Sequence, residues 1–222
     1  MIDHRGPAMK TITFHFDFIS PFAYLAFEKL PETLAGLSYH IRYRPVLLGP
    51  LLRKHGLLGP AEVPPKREWT YRHVLWLGHA HEIPIDLPAA HPFNPLPYLR
   101  LALSTSAGGD VSRFVAETIF REIWQGGGEP GDAARFAALK AKLHPLRDAE
   151  GEEVKAQLRA NTDEALAAGL FGVPVLEVDG QYFWGFDSLP VLRDYLDGDP
   201  WFGQPAWQNA AQRPGLATRG KP

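Results

Sequence analysis

The sequence predicts an α/β fold in which an all-α helical segment interrupts a small sheet. Three observations lead there. A strand, a helix and a second strand run up to Pro45, and helical periodicity then dominates to Ala168. Two short strands joined by Asp-Gly, followed by one more helix, close the pattern.

The first strand is Thr11–Phe18. Ile12, Phe14, Phe16 and Phe18 alternate with Thr11, Thr13, His15 and Asp17, the period of two that a strand imposes on its side chains. Ser20-Pro21 ends it. Proline suits the first turn of a helix, where its missing N–H would have no partner anyway, and Phe22–Leu30 continues as an apolar helix that Pro31 closes. "YHIRYRP", Tyr39–Pro45, is the second strand. Residues 47–65 are punctuated by Gly and Pro and lead into a helix over Lys66–His81. A proline-dense loop, "EIPIDLPAAHPFNPLP", precedes helices at Tyr98–Ser106, Val111–Trp124, Asp132–Leu143 and Glu152–Ala168.

Sheet returns at the end. "GVPVLEVDGQYFWG" is a hairpin turning on Asp179-Gly180. "FDSLPVLRDYL" starts a helix, with Asp187 or Ser188 as its cap and Pro190 in its first turn. The expected organisation is a discontinuous α/β domain, 9–46 with 169–197, a helical insertion domain at 47–168, and a mostly irregular tail at 198–222. Met9 is a candidate natural start, with residues 1–8 as an extension.

Composition excludes several function classes. A hydrophobic content of 45% supports a buried core, and a net charge of −2 without a basic block argues against nucleic acid. The chain has no cysteine, which removes disulfides, thiolate nucleophiles and Cys-ligated metals. Any thiol chemistry must use a sulfur that arrives with a ligand. No segment approaches the ~18 apolar residues that span a membrane, and "MIDHRGPAMK" lacks a signal-peptide core. A soluble, cytoplasmic protein is expected. Of the nine histidines, His73, His79 and His81 stand six and two apart. No pair is then one helical turn apart, and no metal site is expected.

The element order, with a serine between the first strand and first helix and Val173-Pro174 before the third strand, is that of a thioredoxin-like fold interrupted by a helical domain. In such folds a functional serine or cysteine stands before the first helix, and a cis Val-Pro bond faces it. Ser20 is either a plain helix cap or the place where a reactive group is held. Free N–H groups of a first helical turn favour an anion. A ligand thiolate placed there would ionise below the usual thiol value of about 8.5. No Ser-His-Asp spacing is evident, and an unassisted serine is a weak nucleophile. Ser20 is therefore expected to stabilise rather than attack.

The blocks "FDFISPFAYLA", "GPAEVPPK", "IP…P…FN", "LR", "IWQGG" and "GVPVLEVDGQYFWGFDSLPVL" resemble, in that order, those of 2-hydroxychromene-2-carboxylate isomerases. The same series is similar to kappa-class glutathione transferases, and both belong with disulfide oxidoreductases of the DsbA kind. The resemblance covers about residues 10–197 and implies bound glutathione as cofactor, with Ser20 replacing the oxidoreductase cysteine. It implies that Trp184, Gly185, Phe186 and Asp187, with Ser188, hold the γ-glutamyl end. The backbone of Val173, before Pro174, would pair with the cysteinyl amide. A small aromatic or unsaturated acid is the implied substrate and a homodimer the implied assembly. Phe22, Phe93 and Asn94 match the family blocks, and Arg53, Lys54 and Arg100 are cations that could meet an acidic substrate. The chain departs from the pattern at Leu57, where relatives commonly carry an asparagine that contacts glutathione or substrate. It departs again at His73-Val74-Leu75-Trp76-Leu77 in the following helix.

Overall fold

A computed structural model describes residues 9–213. The extension expected at 1–8 and the last part of the tail, 214–222, lie outside them. The fold is α/β and thioredoxin-like, built on a four-stranded mixed sheet. β1 (Lys10–Phe16) pairs in parallel with β2 (Tyr39–Pro45) and antiparallel with β3 (Val175–Val178). β4 (Gln181–Trp184) pairs antiparallel with β3, giving the order β2-β1-β3-β4. The β3–β4 turn has positive φ at Asp179 (51°) and Gly180 (75°), the pair of left-handed residues that a two-residue hairpin of type I′ demands.

Eight helices of at least seven residues surround the sheet among the described residues. They are α1 (Pro21–Thr33), α2 (Leu48–Lys54), α3 (Pro64–Ala80) and α4 (Leu96–Ser104). α5 (Arg113–Trp124), α6 (Ala133–Leu143), α7 (Glu152–Ala167) and α8 (Leu189–Leu196) complete them.

Four local expectations need correction. Pro31 does not close α1; it sits inside the last turn, where its missing N–H costs one bond and Leu34 N–H still reaches Leu30 O at 3.0 Å. α2 occupies a stretch that its Gly and Pro marked as irregular. Pro50 is tolerated because it falls in the first turn, where N–H groups have no intrahelical partner. Ser188 is the N-cap residue of α8, as one of the two candidates, but it makes no side-chain capping bond; its hydroxyl turns back to Gly185 O instead. The tail forms short helical turns at Pro200–Gly203, Pro205–Gln208 and Ala210–Gln212, anchored by buried Phe202 against Tyr195.

One side of the sheet carries the main core. Phe14 stacks on Phe16 at 5.5 Å between centroids, Phe18 meets Phe16 edge-on at 5.1 Å, and Phe120 of α5 packs on both Phe16 and Phe18. Burying each such ring from water contributes about 1.5–3 kcal/mol, so this aromatic column fixes α1 and α5 on that face. The other side is covered too. Leu51 of α2 and Ala165 of α7 pack on Val175 of β3. That second layer is why the polar side of β1 is not solvated: His15 is 3% and Asp17 0% exposed.

Candidate functional site

Asp17 to Ser20 forms a tight turn between β1 and α1, and most of its polar groups are engaged. Ser20 N–H donates to Asp17 O (3.1 Å) and Ile19 N–H to Asp17 Oδ1 (3.2 Å). Trp124 Nε1 donates to Phe18 O (2.9 Å) and His91 Nε2 to Ile19 O (2.8 Å). Asp17 Oδ2 accepts from Leu48 N–H at 2.8 Å, supplying to α2 the cap that its own Leu47 cannot. Burial pushes the Asp17 carboxyl up to about 7, against the opposing pull of the Leu48, Ile19 and Phe18 N–H groups.

Ser20 is 6% exposed and is a helix cap: its Oγ accepts from Ala23 N–H at 3.2 Å. An accepting hydroxyl still owns its proton. Among the described residues the Ser20 O–H donates to no protein group. Cap and functional hydroxyl are therefore compatible in one side chain.

Pairing of His15 with Val175 carries the chain before β3 toward this turn. Val173-Pro174 is cis, as is His91-Pro92. Pro174 O accepts from Gly185 N–H (2.9 Å), whereas the backbone of Val173 makes no hydrogen bond among the described residues. β4 then delivers Trp184, 53% exposed, whose ring lies across Gly172 so closely that a Cβ there would meet Nε1 at 2.9 Å. Gly185 follows at φ 95°, and a Cβ on it would stand 2.4 Å from Asp187 Oδ1. Only glycine lets the Asp187 carboxylate fold back over this bend. Ser188 Oγ donates to Gly185 O at 2.8 Å, so its proton is spent. The Asp187 carboxylate has no hydrogen-bond or ion-pair partner among the described residues.

Phe22, Val173, Trp184, Gly185, Phe186 and Asp187 help to line a cavity of about 730 Å³. Pro174 and Ser188 adjoin lining residues in the chain, and Ser20 stands two residues before Phe22. The other residues singled out in the sequence lie elsewhere. Arg53 and Lys54 are exposed in the last turn of α2. Phe93 packs on His91 and Tyr98, and Asn94 Oδ1 accepts from Leu96 N–H at the start of α4. Arg100 pairs with Glu150 at 2.7 Å and borders a separate 190 Å³ pocket with Lys155 and Arg159. Leu57 is exposed just beyond α2.

Two histidines weighed in the sequence only as metal ligands line the cavity instead: His73 in α3 and His81, the residue that ends it. Their spacing of eight puts them about two turns apart on one stripe, which a search at three and four misses. The lining cations are Lys29 and Arg193, each already paired with its own carboxylate, Glu32 and Asp197. Among the described residues no three acidic or histidine side chains converge as metal ligands, and no helix is long and apolar enough to cross a membrane.

A DsbA-like thioredoxin domain is matched over residues 11–197. The chain belongs to that family. A 2-hydroxychromene-2-carboxylate isomerase of Sphingobium xenophagum is 31% identical over 194 residues, 84% of this chain and 98% of the relative. Glutathione S-transferase kappa 1 of Rattus norvegicus is 28% identical over 218 residues, 89% and 95% of the two chains. The solved structure of a 2-hydroxychromene-2-carboxylate isomerase superposes with a TM-score of 0.72 at 22% identity, covering 92% of this chain and all of the other. This DsbA-like chain thus has isomerases and glutathione transferases among its relatives, and it is an enzyme of that general kind.

Proposed function

We propose that the chain is a glutathione-dependent isomerase of an aromatic or unsaturated carboxylic acid. The observation that carries this is a set of unspent groups at and beside one cavity: the Val173 backbone and the Asp187 carboxylate line it, and the Ser20 O–H stands two residues before the lining Phe22. They fit a γ-glutamyl tripeptide by type. A carboxylate suits its ammonium, an extended backbone suits its central amide, and a hydroxyl at a helix N-terminus suits its sulfur. Bound glutathione would supply a thiolate able to add to a conjugated double bond and leave again, without net redox change.

The chain's own residues then have distinct tasks. The Ser20 hydroxyl and the first N–H groups of α1 hold negative charge on sulfur, and Asp187 with Trp184 anchors the far end of the tripeptide. Phe22, with His73 tilted against it at 5.9 Å between ring centroids, offers an aromatic surface against which an unsaturated acid can lie. The same reading includes a cytoplasmic location and a homodimer, the latter open to sedimentation of the purified chain.

Incubating the enzyme with glutathione and a candidate acid tests the reading. Product formed while total glutathione stays constant supports isomerisation. Stoichiometric loss of glutathione would mean transfer, the second reading, which the kappa relatives favour. Absence of glutathione binding by calorimetry at millimolar concentration would sink both in favour of a non-catalytic binding protein.

A further inference from the structure

Two of the peptide planes in the turn that presents Ser20 are held at both ends. For the Phe18–Ile19 plane, Trp124 Nε1 takes the carbonyl and Asp17 Oδ1 the N–H. For the Ile19–Ser20 plane, His91 Nε2 takes the carbonyl and Asp17 O the N–H. Because a peptide unit is rigid, fixing its C=O fixes its N–H, and against the helix that follows this sets the φ of the next residue. That next residue is Ser20, at φ −89°.

His91 itself has a partner. A carbonyl oxygen only accepts, so the nitrogen facing Ile19 O carries the proton, and Nδ1 of the neutral ring presents a lone pair. The Tyr71 hydroxyl lies 3.0 Å from that Nδ1 and 2.9 Å from His91 O. It therefore ties the ring to α3, while Trp124 and Phe93 stand edge-on to it at 5.6 Å and 6.0 Å. Burial lowers the His91 pKa, which keeps the ring in the neutral form this arrangement uses.

We propose that His91, oriented by Tyr71, is a positioning residue for the Ser20 site. By holding the Ile19–Ser20 peptide plane, it sets the direction in which the Ser20 hydroxyl and the first N–H groups of α1 face a bound anion. The inserted helical segment then aims the site as well as walling it. The anion being a glutathione thiolate rests on the functional reading above; the clamp on the turn does not.

The test compares His91→Phe, which keeps a ring in the aromatic surroundings but removes the donor, with His91→Gln, which restores a donor at similar reach. Amide hydrogen exchange of the unliganded full chain reads the turn directly. In His91→Phe the Ser20 and Ala23 amides should exchange about tenfold faster, or more, relative to the β1 core amides, and His91→Gln should recover most of that protection. With glutathione bound, thiolate absorbance in His91→Phe should place the sulfur pKa about one unit higher. Turnover should fall about tenfold while KM for the acid moves less than about threefold.

Exchange that speeds up uniformly over the molecule, or not at all, overturns the proposal, as does a Gln variant no better than Phe. If the parent chain binds no glutathione, the functional reading fails and the exchange comparison alone decides the clamp. Should His91→Phe fail to fold, Tyr71→Phe must show the same local exchange pattern at smaller amplitude, and its absence counts against the proposal.

Discussion

The turn before α1 and the bend before α8 each start a helix beside the same cavity, and they are built in opposite ways. The first is buried and tightly held: two of its peptide planes and the Asp17 carboxylate are engaged, and three of the partners come from beyond β2 in the chain. The second is partly exposed and more lightly tied. Ser188 bonds Gly185 O across the bend through its hydroxyl and its N–H, and Asp187 is free of partners among the described residues. Pre-organised groups stabilise developing charge at no cost in reorganisation, whereas a loosely held carboxylate can adapt to a ligand's ammonium. The first region is suited to chemistry and the second to anchoring.

The largest expected effect falls on the first. On the proposed function, Ser20→Ala removes the hydroxyl that would meet the ligand's sulfur and should lower kcat/KM by about 100-fold. The lost cap should cost only about 1 kcal/mol of stability. Denaturation and turnover measured on the same preparation separate the two. A variant with full turnover and a lowered melting temperature would reduce Ser20 to a cap.

Asp17→Asn probes how much the tight hold on that turn contributes. The amide can accept from only one of Ile19 and Leu48 and sets its own N–H₂ against the other, a loss of about 1–3 kcal/mol. The effect depends on pH with a definite sign. Because the folded-state pKa is raised from 3.8 to about 7, the native chain holds this proton more tightly than the unfolded one. The contribution of Asp17 is then greatest below its ordinary pKa and declines as pH rises from about 4 to about 7. Urea unfolding at about pH 5 and about pH 8 should show the parent's advantage over Asp17→Asn shrinking at the higher pH. An advantage that grew would mean a charged, well-paired carboxylate.

Much of this architecture was legible because its signals are local. The phenylalanine alternation marks β1, Ser20-Pro21 marks a helix start, and Asp179-Gly180 marks a hairpin, each within a few residues. What was not legible depends on what packs over what. Asp17 looked like the solvent side of a strand and is buried because α2 and α7 cover that face. His91 and Tyr71 are twenty residues apart on different elements, with no spacing to connect them. Arg53, Lys54 and Arg100 were chosen by charge alone, and charge says nothing about direction.

On the anchoring side, Asp187→Ala should raise the glutathione Kd about tenfold and leave turnover at saturating glutathione within about twofold. Stability should move by less than about 0.5 kcal/mol, since an exposed carboxylate without a partner holds nothing in place. Calorimetry and steady-state kinetics check this together. A fall in turnover at saturation would blur the division between the two regions.

The smallest effect should come from a residue outside both. Arg100 faces Glu150 and a pocket away from the lining of the main cavity, although its charge made it a candidate for holding an acidic substrate. Arg100→Ala should leave kcat/KM for the acid within about twofold. The ion pair it breaks has an exposed Glu150 as partner, so stability should fall by less than about 1 kcal/mol. A clear rise in KM for acids, absent for neutral acceptors of similar shape, would move substrate recognition from the cavity to the α4–α7 side. The tightly held turn and the open bend would then be only part of the site.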